Sequence, residues 1–447
     1  MKASRIKLIF MPLLLCALSG CAGQDIESED NWSAEADSRP VLNENGREEV
    51  QFCASVFSVA MREIIADYND RSERYEIVPV EFDNENSWND QRDRLRLELT
   101  SGSGPDLLAD TVLWRIDMKP YAEAGVLLDV TDFVAEQGGF VKNVAEANQV
   151  DGRLYGVPYC FSVGTLVTSP RMSTDIVNWT KDYCMATAAE KEVSLFIGAP
   201  YGWTKEESGL YVLNVLGVGM GGVQLFVDEE QGISSFEQPE FIQMLEFSRT
   251  YLDSAQDIPE EERLASGEQF CAAVGIRNFN DFSYCRMLFE GNPVYMGYPS
   301  PQGGVCKLNV NSFYINAASG HKEGAKDFLC YLLSDEVQRE LAVGLGEGFP
   351  VKQSLLEDLW KEAQEKVLDE AAGYEIGGVF IKPELMTQED ERIFWAMLEH
   401  PIYYQWQNDI WDIVEEEAIP FFYGEKPAQD VANAIDSRVQ LYLDERK

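Results

Sequence analysis

The sequence predicts an α/β protein with a helical C-terminal extension. Strand and helix patterns alternate from Val50 to Gly125, the alternation restarts after Tyr159, and about the last ninety residues show only helical periodicity. At 447 residues the chain has length for two or three domains, and 45% apolar against 25% charged residues fits a folded protein.

The elements follow in order. Val50–Val56 is a β-type run, and Ser58–Tyr68 places Met61, Ile64, Ile65 and Tyr68 on one helical face with Ser58 as N-cap. Tyr75–Phe82 alternates as a strand, and Trp88–Leu99 is helical up to Ser101-Gly102-Ser103-Gly104. Leu107–Ala109 is a short strand, followed by a helix ending at Gly125. This order predicts a largely parallel sheet. Val150–Tyr155 reads as a hairpin with an Asp151-Gly152 turn. In the second unit Ser162–Thr168 is an apolar strand, and Thr204–Glu207 is a capping box opening a helix through Leu216. Gln224–Val227 reads as a strand and Pro239–Leu252 as a helix. Val294–Tyr298 and Ser312–Ile315 are strands, and Lys322–Leu333 is helical. The tail reads as helices at Gln388–Glu399, Tyr403–Glu417 and Ala428–Leu443, the last with Val431, Ile435, Val439 and Tyr442 on one face.

The start has the layout of an export signal. Lys2, Arg5 and Lys7 precede an apolar run, Leu8–Leu18, too short to span a bilayer. Leu18-Ser19-Gly20-Cys21 then resembles the lipobox of bacterial lipoproteins. That resemblance implies cleavage after residue 20, lipidation of Cys21 and a chain held at the extracytoplasmic face of the cell membrane by acyl chains such as palmitate. Residues 21–49, acidic and poor in large apolar side chains, read as a disordered linker.

Composition excludes several functions. A formal charge of −41 repels phosphate backbones, so no nucleic-acid partner is expected. The two histidines, His321 and His400, leave little for a His-ligated metal site. Nine cysteines include Cys16 in the signal and Cys21, leaving an odd number with no C-x-x-C, so they read as buried small hydrophobes with pairing left open. Gly217-Val218-Gly219-Met220-Gly221-Gly222 fits G-x-G-x-x-G, but it follows a helix, the wrong context for a dinucleotide site.

Ordered motifs resemble one family. They are Ser101–Asp106 before a strand, Tyr121–Asp129, Asp151–Tyr159, Gly202-Trp203-Thr204, Ile315–Ala325, Leu332–Gln338 and Gly348-Phe349-Pro350-Val351. The chain resembles the family 1 extracellular solute-binding proteins, to which maltose-binding protein belongs. The resemblance implies a periplasmic-binding-protein-like type II fold: two hinged α/β lobes with ligand between them. One lobe would comprise residues 50–158 plus 311–350, the other 159–310 plus 351–447. It also implies a monomer that hands a carbohydrate to the permease subunits of an ABC importer, with no cofactor and no bond broken. The rivals are a surface glycoside hydrolase using two carboxylates and a binder of a non-sugar solute on the same scaffold.

Sugars need flat aromatic platforms and a rim of polar groups. Phe57 follows the first strand, where the family's cleft begins, and either lines it or packs in the core. Asp110 ends the third strand at its carboxyl edge, where α/β sheets bind ligands. Trp114 is either the stacking platform of that lobe or a core residue at a helix start. Tyr159 and Phe161 sit at the first crossing between lobes. Trp203 either lines the cleft or staples the helix capped by Thr204. Phe282 lies where the family's second lobe supplies aromatics, and Tyr298 ends a strand as a cleft residue or a turn residue. Glu347 reads as a solvated loop carboxylate near the last crossing.

Overall fold

The structure, a computed structural model, describes residues 42–445 except 83–86, 113–117, 192–194, 198–203, 219–224, 229–230, 251–262, 265, 290, 345–346, 366–373, 377–378, 382–385 and 404–408. The first half is built on β1 (Glu48–Ala54), which pairs in parallel with β2 (Tyr75–Glu81) and β3 (Leu107–Ala109). Between β1 and β2 the Val59–Arg71 helix starts at Ser58, whose Oγ accepts from the Met61 N–H at 3.1 Å, and buries Met61, Ile64, Ile65 and Tyr68. The Trp88–Thr100 helix buries Leu95 and Leu99. The Lys322–Leu332 helix lies so close on β1 that a Cβ at Gly324 would sit 2.6 Å from Val50 Cγ2. The hairpin of β4 (Gln149–Val150) and β5 (Arg153–Leu154) turns through Asp151 and Gly152, both at positive φ, as the Asp-Gly pair predicts.

The second half contains β6 (Gly156–Thr168), β7 (Leu195–Ile197), β8 (Val227–Asp228), β9 (Ile233–Ser234), β10 (Gln269–Ile276), β11 (Val294–Tyr295), β12 (Tyr298–Ser300) and β13 (Gly303–Val305). β14 (Lys307–Ile315) returns to the first half, and the tail adds β15 (Tyr374–Ile376), β16 (Val379–Ile381) and β17 (Ile402–Tyr403). Nine of these strands form one sheet in the order β2-β1-β3-β14-β6-β10-β7, with β11 beside β6 and β17 beside β14.

The parallel reading holds for the first unit, where β1 pairs in parallel with β2 and β3, and is corrected only where strands link the two halves. β14 runs antiparallel to both β3 and β6, and β6 runs antiparallel to β10. The reason is chain direction: β6 leaves the first half and β14 comes back to it, so the two neighbours must oppose each other. The all-helical tail is also corrected, because β15 pairs with β16 and β17 pairs with Lys307–Leu308 of β14. Tyr403, where a helix was expected to begin, is the last residue of β17, and a helix is described over Asp409–Phe422; of the strand expected over Gln224–Val227, Leu225 and Phe226 are not strand and Val227 belongs to β8. The acidic segment folds from Leu42, eight residues before the expected start of the globular part. Asn43 Nδ2 and Arg47 Nη2 both donate to Glu76 Oε2, at 2.7 and 2.6 Å, and anchor it to β2.

Two large apolar cores result. One runs through both halves and includes Phe52, Phe161, Phe282, Phe313, Phe349 and Phe394. The other lies wholly in the second half, around Trp179, Phe236, Phe241 and Phe270, and is closed by Val431, Ile435 and Val439 of the Ala428–Asp444 helix.

Candidate functional site

β6 and β14 are the strands that pass from one half to the other. They pair from Lys307 opposite Gly164 to Asn311 opposite Cys160, then past a bulge from Ser312 opposite Pro158 to Tyr314 opposite Gly156. Both are buried along their length except at Ser162, Asn309, Val310 and Asn311. Side chains alternate along a strand, so Cys160, Ser162, Gly164, Lys307, Asn309 and Asn311 share one face, and Phe161, Val163, Leu308 and Val310 share the other. The second face is covered: the Phe161 ring lies 5.4 Å from Phe349, which packs 4.9 Å from both Phe279 and Phe394. The first face is half-buried at Ser162, Asn309 and Asn311.

That face is polar. Asn309 Nδ2 donates to Ser162 Oγ at 3.3 Å, and Asn311 Nδ2 donates to Cys160 Sγ at 3.2 Å. At its first-half end Asp110 follows β3, and its Oδ2 accepts from the Ser312 N–H at 3.2 Å. Asp110 as a residue is half-buried, and desolvation of its carboxyl pushes it up to about 7 against the pull of the Ser312 and Thr111 amides. Tyr159 faces Asp110 and Cys160, its hydroxyl pushed well above the usual phenol range by burial. At the other end Lys307 is buried, 6% exposed, and desolvation lowers its amine to about 6.

The sequence-predicted residues fare unevenly. Asp110 and Tyr159 come together beside the polar face; one face of the Tyr159 ring is stacked on Phe313 at 4.2 Å. Tyr298 lies against Gly164 at the Lys307 end, its hydroxyl 3.5 Å from where a Cβ on Gly164 would sit. Phe57 is 5% exposed, edge-on to Phe52 at 4.8 Å and capped by the Arg62 guanidinium at 6.0 Å. Phe161 and Phe282 are core residues, 1% and 0% exposed, with Phe282 packed between Tyr295 and Phe394. These three rings are already filled contacts rather than open platforms. Trp114, Trp203 and Cys21 lie outside the described residues. Glu347 lies in irregular, half-exposed chain, and its backbone carbonyl accepts from Cys160 Sγ at 3.9 Å. Sequence reasoning misses Ser162, Lys307, Asn309 and Asn311. Their signal is the alternation Lys307-Leu308-Asn309-Val310-Asn311, polar at every second position of a strand.

Two other recesses lie on the first half. One of about 960 Å³ is bordered by Tyr68, Arg71, Glu136 and Asp327, and one of about 440 Å³ by Asn43, Asp106 and His321. Neither contains a sequence-predicted residue. The buried thiols are poor nucleophiles: burial raises Cys53 and Cys285 to about 12. Among the described residues, no His, Cys, Asp or Glu cluster of three or more could hold a metal ion, and no helix is long and apolar enough to cross a membrane.

The family profile described as bacterial extracellular solute-binding protein matches residues 63–367. The chain belongs to the bacterial extracellular solute-binding proteins. No curated protein sequence matches it. Among solved structures it is similar to the ABC substrate-binding protein Lmo0181 from Listeria monocytogenes in complex with cycloalternan, at 14% identity and a TM-score of 0.54 over 89% of this chain and 99% of that one. Maltose-bound MalE3 of T. maritima is similar at 15% identity and 0.53, over 88% and 99%. The maltose/maltodextrin-binding domain MalE from Bdellovibrio bacteriovorus, bound to maltotriose, is similar at 13% identity and 0.55, over 89% and 100%. The fold of this solute-binding protein is therefore the type II periplasmic-binding-protein fold of two hinged α/β lobes, with helices added at the C-terminus. β6 and β14 run side by side between the two halves, and the chain at Phe349 forms an isolated bridge to Phe161.

Proposed function

We propose that this solute-binding protein captures a carbohydrate between its lobes and delivers it to the permease of an ABC importer while held to the membrane by a lipid on Cys21. The observation that carries the reading is the half-buried polar set Ser162, Asn309 and Asn311 on one face of strands that, apart from Val310 on the other face, are buried along their length. Amide and hydroxyl groups at fixed spacing suit the hydroxyl rim of a sugar, and the adjoining Asp110 and Tyr159 add a carboxyl and a phenol. Asn309, Asn311 and Ser162 join Asp110, Tyr159 and Tyr298 as the proposed ligand-facing set. Trp114 and Trp203 remain the proposed stacking platforms, one for each lobe.

Each lobe supplies part of this set, so a ligand touching both favours the closed arrangement by the free energy of the contacts that only closure makes. The ligand leaves unchanged, as befits a carrier. Melting curves against a solute panel test the proposal. A glycan that raises the midpoint, with amino acids and metal salts leaving it unmoved, is the expected result. A shift produced by amino acids or metals and by no glycan refutes it. Labelling the expressed chain with a palmitate analogue tests the anchor: label on the wild type and none on Cys21→Ala is expected.

A further inference from the structure

We propose that Gln338 is a positioning residue of the binding site: its carboxamide is spliced between Tyr159 of β6 and Val351 of the neighbouring chain, and so holds the bulge that turns the Tyr159 ring toward the polar face. The inference rests on the carbohydrate reading above for what that ring meets, and on hydrogen bonds alone for how the ring is held.

One step along β14, from Asn311 to Ser312, answers two steps along β6, from Cys160 to Pro158. Tyr159 is therefore the extra residue of a β-bulge, with no residue opposite it on β14. Unbroken alternation would put its side chain with Phe161 on the covered face. The bulge re-aims it. The Tyr159 ring stacks on Phe313 at 4.2 Å with the planes 9° apart, and Phe313 stands two residues beyond Asn311, on the same face of β14. Asp110 and Cys160 lie near its hydroxyl.

A buried bulge needs its backbone groups satisfied elsewhere. On the edge of β6 away from β14, the Phe161 N–H donates to the Phe349 carbonyl at 3.1 Å, and the Phe349 N–H donates to the Phe161 carbonyl at 2.8 Å. In an antiparallel pair the next such exchange would join Tyr159 to Val351. Gln338 of the Asp335–Arg339 helix stands in that place. Its Oε1 accepts from the Val351 N–H at 2.9 Å, and its Nε2 donates to the Tyr159 carbonyl at 2.9 Å. Nε2 also donates to the Leu332 carbonyl at 3.2 Å, at the end of the helix that lies on β1. Val351 turns its own carbonyl to the Val141 N–H at 2.9 Å. Gln338 is 0% exposed, so it touches no solute and no solvent replaces its bonds. Three of the ordered motifs, Asp151–Tyr159, Leu332–Gln338 and Gly348–Val351, meet at this one side chain. Bridging an N–H and a carbonyl takes a donor and an acceptor at one tip, which a carboxamide has and an alkyl chain lacks. Without it, the shortest repair is direct pairing of Tyr159 with Val351, which draws Tyr159 out of its bulge.

The test places 3-fluorotyrosine at position 159 of the full chain and reads its fluorine NMR line. Gln338→Leu fills the space without the bonds, and Gln338→Asn is one methylene short; both are expected to move the line toward that of the urea-unfolded chain. Gln338→Glu at about pH 5, protonated in this buried place, keeps one donor and one acceptor and should hold the line where the wild type has it. Phe241→Leu in the other core controls for lost stability and should leave the line unmoved. The same variants with ordinary tyrosine are titrated calorimetrically with maltotriose, cellotriose and xylotriose. For a triose that the wild type binds, Gln338→Leu and Gln338→Asn should weaken binding roughly tenfold or more, and Gln338→Glu at about pH 5 and Phe241→Leu by less than about threefold. If Gln338→Leu does not fold, the contrast between Gln338→Asn and Gln338→Glu decides. A line that stays in place in the Leu and Asn variants overturns the proposal, and so does a moved line with unchanged affinity. If the wild type binds none of the three trioses, the result counts against the carbohydrate reading, while the fluorine line still decides whether Gln338 holds Tyr159.

Discussion

Asp110 and Lys307 make opposite predictions for stability. A carboxyl whose folded value lies above its unfolded one binds more protons in the native state, so its contribution falls as pH rises from about 4 to 7. Relative to Asp110→Asn, the wild type should therefore lose stability across that range. A lysine whose folded value is lowered binds fewer protons when native, so its cost shrinks as pH rises from about 6 to 10. Relative to Lys307→Met, the wild type should gain stability there. Urea melts at stepped pH read both slopes; parallel curves for either pair would contradict the assigned burial. Asp110 was legible in the sequence because a strand's end can be located from its pattern. Lys307 was not, because its burial comes from β6, β17 and Tyr298, far away in the chain. Gly348 illustrates a backbone constraint of the same kind. Its φ is +155° and a Cβ would lie 2.7 Å from the Phe161 carbonyl oxygen, beside the bridge between Phe161 and Phe349. Gly348→Ala should cost about 1–3 kcal/mol, read as a lower melting midpoint.

At the scale of elements, the Gln388–Glu399 helix packs against both lobes. It begins on a capping box in which Thr387 Oγ1 accepts from the Asp390 N–H and the Asp390 carboxylate accepts from the Thr387 N–H, with Asp390 1% exposed. Its Phe394 packs on Phe279 of the second lobe and on Phe349, and its last carbonyls accept from the Asn143 side chain of the first lobe. Phe394→Ala should cost about 3–5 kcal/mol in chemical denaturation; a loss below about 1 kcal/mol would mean that the aromatic cluster collapses around the gap. The bounds of this helix were plain from its caps and its apolar spacing. β17 was not, because two residues carry no period and become a strand only through Lys307 and Leu308. The antiparallel pairing around β14 was not legible for a related reason: strand direction there depends on a chain return from the far half, which local patterning does not encode.

For the whole molecule, two lobes share one sheet, and one apolar core contains both Phe52 of β1 and Phe282 of the second lobe. Scanning calorimetry should therefore show a single cooperative transition; two resolved transitions would mean that the crossings do not couple the halves. The bilobal plan was legible from ordered motifs spread along the chain, whereas three of the seven aromatic candidates pack in cores. A ring's type and position say little about which way it turns, and Phe57, Phe161 and Phe282 all turned into cores. The small polar residues Ser162, Asn309 and Asn311 of the crossing strands are the half-buried ones instead. The central claim, that this polar set holds a guest and releases it unaltered, is tested most directly by native mass spectrometry after incubation with a glycan library. One intact glycan per chain, still full length after prolonged incubation, is the expected result; shortened glycans in the spectrum, or a chain that stays empty throughout, would contradict it.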